Sequence, residues 1–137
     1  MTDGADGSER VDLFVNGTLM RGEQLHGNLE HASFLREART APRYRIYSIG
    51  DVHPGMLPTR SGGVSVEGEL YRLDLEQLEQ LVAGEPPGLG LGVVELEDGE
   101  RTLGVFWAAA ELPGTATDIS EFGGWRAYRA ATSAAGR

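Results

Sequence analysis

Residues 11–22 read Val11-Asp12-Leu13-Phe14-Val15-Asn16-Gly17-Thr18-Leu19-Met20-Arg21-Gly22. Leu13, Phe14 and Val15 make a short apolar strand. It runs into a polar break built on a glycine, after which apolar residues resume at helical spacing. A buried strand that stops at Asn16-Gly17-Thr18 is expected to expose successive backbone N–H groups at its end. Gly17 can adopt φ > 0 there and carries no side chain to cover them. Such a turn can hold an anion, often a carboxylate; it can equally be a strand-to-helix turn that needs no ligand.

The chain around this stretch has 137 residues, which fits one domain with a real core. Hydrophobic residues are 40% and charged residues 24%, an ordinary globular balance. Its 20 glycines follow no period, which argues for many turns and short strands. A net charge of −9 argues against nucleic acid and against an anionic membrane surface as partners. With no cysteine there is no disulfide, thiolate metal site or cysteine nucleophile. No apolar run approaches the ~18 residues of a membrane span, and the polar start is not a signal peptide, so a cytoplasmic protein is expected.

Segment 1–10 is expected to be a disordered tail, 11–128 the folded domain and 129–137 a flexible tail. Within the domain, the spacing of Leu19, Leu25 and Leu29 predicts helical structure over about 21–30. Alternation of Tyr44, Ile46 and Ser48 predicts a strand, and the proline- and glycine-rich 50–58 predicts a loop. A second strand is expected over 64–72. Asp74 with Gln77 has capping-box spacing and opens a helix over 75–82, with Leu75, Leu78, Leu81 and Val82 on its apolar stripe. Gly84 can close it, and Pro86-Pro87 forces an extended exit. Asp98-Gly99 marks a hairpin between strands at about 92–96 and 101–107. Asp118 begins an aromatic closing segment with Phe122, Trp125 and Tyr128. The sum is an α+β domain with a curved sheet or small barrel.

Candidate chemistry is sparse. His26, His31 and His53 do not form a metal spacing, and His26 and His31 read as solvated. His53 lies in the proline–glycine loop, where functional groups are often displayed. No G-x-S-x-G elbow exists, and the glycines at 88, 90 and 92 precede a strand rather than a helix, so they form no dinucleotide fingerprint. Glu85 stands apart, just past a helix end between Gly84 and Pro86 with apolar residues on both sides. The helix carbonyl end and apolar surroundings both raise a carboxyl pKa, which makes Glu85 a candidate general acid or base.

The Val15-Asn16-Gly17-Thr18-Leu19 turn resembles the Tyr-Gly-Ser-Leu signature of the γ-glutamylcyclotransferase-like fold. Gly68-Glu69-Leu70-Tyr71 followed by a leucine-rich helix and a glutamate resembles its second landmark. More narrowly, the chain resembles the C-terminal domain of allophanate hydrolase, through 36–49, the Pro54-Gly55-Met56-Leu57 loop, 89–99 and 118–128. The resemblance implies a small mixed β-barrel with flanking helices, and no metal or cofactor. It makes Asn16, Gly17, Thr18 and Leu19 the substrate-binding turn, with Tyr128 as a further substrate contact, and Glu85 the acid/base. Two departures stand out. Asn16 replaces the usual tyrosine, and Glu85 is retained where the allophanate hydrolase domain often carries an apolar residue. The chain reads as a stand-alone form of that domain, without amidase Ser-Ser-Lys chemistry.

Three functions follow from the resemblance. One is a cyclotransferase releasing 5-oxoproline and an amine from a small γ-glutamyl amide. Another is breakdown of an N-carboxy, urea-type intermediate to CO2 and ammonia, with His53 as proton donor. The third is a binding module that pairs with an amidase, or with itself as a homodimer, through Phe122, Trp125 and Tyr128.

Overall fold

The computed structural model describes residues 9–135, so segment 1–8 of the expected N-terminal tail and residues 136–137 lie outside the described residues. In chain order these residues form β1 (Arg10–Val15), β2 (Ser33–Arg39), β3 (Tyr44–Ile49), β4 (His53–Pro58) and β5 (Glu67–Asp74). Then come α1 (Leu75–Ala83), β6 (Leu89–Glu95), β7 (Arg101–Trp107), β8 (Ala116–Asp118) and α2 (Trp125–Ala135). Five strands make one sheet in the order β2-β5-β1-β7-β6, and three make a second in the order β4-β3-β8.

β1 sits at the centre of the larger sheet, antiparallel to β5 and parallel to β7. Leu13, Phe14 and Val15 are therefore buried on both faces, which is why the strand reads as a continuous apolar run. The expected barrel does not form. Edge strands β2 and β6 do not pair; a single bridge, Thr40 to Leu96, joins the chain just beyond them, and the three-stranded sheet keeps its own ladder. One bridge is not a ladder, and closure needs continuous pairing around the ring. The fold is α+β, with two packed sheets and two helices.

Three local expectations also change. Residues 21–30 form no α-helix. Glu23, His26, Asn28 and Glu30 each donate their N–H to the carbonyl three residues back, and Gly22 takes φ +82° where the helix should begin. The result is a chain of turns with one 3-10 turn at His26–Leu29. Residues 53–58 form β4 rather than a loop. Pro54 and Pro58 are tolerated because β4 is an edge strand paired only with β3, so their missing N–H groups cost no ladder bond. The β3–β4 link is the three residues Gly50, Asp51 and Val52, with Gly50 and Asp51 at φ +62° and +61° and the Val52 N–H on the Ile49 carbonyl at 3.1 Å. Finally, α2 runs through Ala135, into the stretch 129–137 assigned above to a tail.

The capping box of α1 forms as expected: Asp74 accepts from the Gln77 N–H at 2.7 Å, and the Gln77 side chain accepts from the Asp74 N–H at 2.9 Å. Leu78 and Leu81 point into the core, while Leu75 stays exposed. No helix among the described residues is long and apolar enough to cross a membrane.

Candidate functional site

At the end of β1 the chain turns, and the turn is held from behind. The carbonyls of Gly17, Thr18 and Leu19 accept from the Met20 N–H (3.0 Å), the Leu25 N–H (2.8 Å) and His26 Nδ1 (2.9 Å) respectively. A carbonyl only accepts, so His26 Nδ1 carries the proton. This histidine is thus a support of the turn rather than a solvated side chain. The N–H groups of Gly17, Thr18 and Leu19 have no hydrogen-bond partner among the described residues. A row of free N–H groups is a ready site for an anion.

Gly17 is needed here for a different reason from the one expected. Its φ is not in the left-handed region. Instead, a β-carbon on it would lie 2.5 Å from Cδ and Cγ of Pro54. The proline ring of β4 closes directly on the turn backbone. The Asn16 side chain is buried and donates to the Val105 carbonyl at 3.1 Å, tying the end of β1 to β7.

Glu85 reaches the same place from α1. The helix ends at Ala83, Gly84 donates to the carbonyls of Gln80 and Leu81, and the Glu85 N–H donates to Val82 at 3.1 Å. Oε2 of Glu85 is buried with no hydrogen-bond partner among the described residues. Burial pushes the carboxyl from an ordinary 4.5 up to about 7. His53, buried at the start of β4, donates Nδ1–H to the Pro54 carbonyl at 3.0 Å.

Asn16, Gly17, Thr18, Leu19, His53 and Glu85 line one cavity of about 10 Å³, closed by Val15, Pro54, Leu89 and Val105. That volume holds about one water molecule. Tyr128 is not among its walls. It is buried beside Phe122 and Trp125, with ring centroids 5.4 Å and 5.9 Å away, and its hydroxyl donates to Asp51 Oδ1. The bonds from Tyr128 and Ser48 hold the Asp51 carboxyl below its usual range. Tyr128 therefore anchors α2 to the β3–β4 turn, two residues before His53, and with Trp125 serves the core rather than an open interface.

Sequence reasoning missed Glu69. This β5 carboxylate is wholly buried. It accepts from the Arg21 N–H and Arg21 Nε (both 2.9 Å), the Tyr71 hydroxyl (2.9 Å) and Arg126 Nη1 (3.2 Å). Burial works to raise its pKa, and the bonds from Arg21 and Tyr71 with the charge of Arg126 outweigh it, so the carboxyl stays below its usual range. Through Arg21 it fixes the chain just beyond the Gly17–Leu19 turn. The only local signal was a charged residue between Gly68 and Leu70 in an apolar strand; its arginine partners lie 48 and 57 residues away. No group of three or more His, Asp or Glu among the described residues could hold a metal ion.

Comparison with known proteins adds four findings. The profile of the family described as the allophanate hydrolase C-terminal domain matches residues 11–130. A solved structure of a uropathogenic Escherichia coli-specific protein is 41% identical, covers 89% of this chain and 97% of that one, and superposes with a TM-score of 0.85. Among curated sequences, the urea amidolyase of Saccharomyces cerevisiae is 30% identical over 131 residues, 90% of this chain. A Vibrio cholerae protein bearing the name "Putative gamma-glutamylcyclotransferase" is 41% identical over 69 residues, 50% of this chain. The chain spans 7% of the length of the yeast protein and 56% of the Vibrio protein.

Proposed function

The chain belongs to the allophanate hydrolase C-terminal domain family and is homologous to the γ-glutamylcyclotransferase-like proteins, and from that premise we propose that it releases CO2 from a small N-carboxy, urea-type compound. Glu85 is the proton donor. The observation that carries this reading is the Glu85 Oε2, buried without a partner among the described residues in a carboxyl whose pKa of about 7 leaves it partly protonated near neutrality, in one cavity with Gly17, Thr18 and Leu19, whose N–H groups have no partner among the described residues.

The substrate R–NH–COO⁻ rests its carboxylate on the N–H groups of Gly17, Thr18 and Leu19. The Glu85 carboxyl gives its proton to the nitrogen. The C–N bond breaks, its electron pair stays on nitrogen, and CO2 leaves with R–NH2. The Glu85 carboxylate then takes a proton from solvent. Proton donation of this kind contributes roughly 10²–10⁴-fold in rate. His53, which lines the same cavity, orients the substrate nitrogen rather than supplying the proton. A module that only pairs with an amidase has no use for an unpaired carboxyl held in a cavity, which counts against that reading.

Cyclisation of a γ-glutamyl amide is the second reading, favoured by the similarity to the Vibrio protein. It uses the same glutamate, and because the cavity of about 10 Å³ must widen to admit either substrate, volume does not separate the two readings. The two reactions differ in product. With a ¹³C-labelled N-carboxy substrate, the protein should accelerate CO2 release over the uncatalysed rate. Glu85→Gln should lose roughly 10²-fold or more of that acceleration. The rate should fall as pH rises through about 7, because the donor must be protonated. Release of 5-oxoproline from a γ-glutamyl amide, with no faster CO2 release, would replace the first reading by the second.

A further inference from the structure

Trp107 ends β7 outside the cavity, yet its side chain touches both arms of it. A β-carbon on Gly88 would lie 2.5 Å from Cη2 and Cζ3 of the indole, and one on Gly55 would lie 3.1 Å from the Trp107 Cβ. Both glycines therefore lay bare backbone directly on this one side chain. Gly88 follows Glu85 across Pro86 and Pro87, a stiff link. Its carbonyl accepts from the Ala108 N–H at 2.7 Å. Gly55 follows Pro54, whose ring rests on Gly17. The indole cannot turn freely, because Nε1 donates to the Glu111 carbonyl at 3.1 Å. An unbroken line of contact runs from the Glu85 arm through Gly88, Trp107, Gly55 and Pro54 to the Gly17 turn.

We propose that Trp107 is a positioning residue: wedged between Gly88 and Gly55, its indole holds the Glu85 arm against the Gly17 turn and keeps water from the Glu85 carboxyl. This rests on the reading of Glu85 as the proton donor. Burial is the cause of that carboxyl's raised pKa, so loosening the arm lets water in and lowers it. Of the cavity walls facing Glu85, only His53 on β4 titrates; the β1 turn, Leu89 of β6 and Val105 of β7 bring no titratable group.

Trp107→Phe keeps the Cβ that abuts Gly55 and removes the outer ring atoms on which Gly88 sits. The Glu85 carboxyl is followed by ¹³C NMR across pH in the parent and in this variant. Its midpoint should fall from about 7 by roughly one unit or more in Trp107→Phe, with the circular dichroism of the folded chain unchanged. An unchanged midpoint in the folded variant overturns the proposal. If Trp107→Phe does not fold, the unmodified chain decides. The Trp107 indole N–H signal should titrate with the Glu85 midpoint and lose that step in Glu85→Gln; a signal that does not titrate, or titrates alike in both, overturns it. Neither readout uses turnover. Coupling without CO2 release removes the proposed reaction alone, and CO2 release without coupling removes the positioning alone.

Discussion

At the scale of single residues, the candidate site depends on close approach as much as on chemistry. Gly17 is the sharpest case, since any β-carbon there meets the Pro54 ring at 2.5 Å. Gly17→Ala should cost about 1–3 kcal/mol through forced displacement of the turn from β4. Gly27→Ala, with nothing within 4 Å of the added carbon, should stay within about 0.5 kcal/mol. Urea denaturation of both variants checks this, and equal costs would refute it. The need for a glycine at 17 was legible in the sequence, but its cause was not, because Pro54 lies on a strand 37 residues later (54 − 17). Glu85 was legible from its setting of Gly84 before and Pro86-Pro87 after, which marks an apolar bend beyond a helix end. Glu69 was not, because a buried carboxylate is recognised by its partners, and Arg21 and Arg126 reach it only in the fold. His26 was misread for the same reason: its use is a hydrogen bond to Leu19 seven residues back, across a run of turns rather than a helical face.

At the scale of elements, local signals with a full set of short-range partners were read well. The α1 capping box and the Asp98-Gly99 hairpin each depend on residues a few positions apart, and both form as expected. Asp74→Ala removes the acceptor for the Gln77 N–H and should cost about 1 kcal/mol, read as a drop in Tm. The same variant should leave the Glu85 titration where it is, because the box frays the first turn of α1 while Glu85 hangs from the last. A Glu85 midpoint that moved with Asp74→Ala would mean that the whole helix, and not the Trp107 contact, holds the arm. Elements were misread where pairing partners decided. The prolines of β4 look like loop signals until the strand is placed at an edge, where their missing donors face no neighbour. The barrel failed likewise: five of the eight strands were visible in alternation and turns and β2, β4 and β8 were not, and closure depends on whether the edges β2 and β6 pair along their length, where only one bridge, Thr40 to Leu96, joins the chain just beyond them.

At the scale of the whole molecule, the site and the fold pull on stability in opposite directions. Glu69, Asp51 and Asp118 all have lowered pKa values in the folded chain, so each contributes stability that is present above its unfolded pKa and lost as pH falls through its folded one. Glu85 has the reverse sign. Between an unfolded value of 4.5 and a folded value of about 7, the folded chain binds more protons than the unfolded one. Its contribution is therefore complete below 4.5 and drains away as pH rises to about 7. The whole shift would correspond to about 3 kcal/mol, and the solvent that reaches this partly exposed side chain reduces it to roughly 1–2 kcal/mol. Glu85→Gln keeps the shape and removes the charge. It should match the parent near pH ~4 and be more stable by roughly 1–2 kcal/mol near pH ~8, where the parent must hold a desolvated carboxylate. Urea denaturation of both chains at the two pH values measures the difference. A gap that stays constant with pH would mean that Glu85 titrates as an ordinary surface carboxyl, and the proton donor of the proposed reaction would have to be sought in His53.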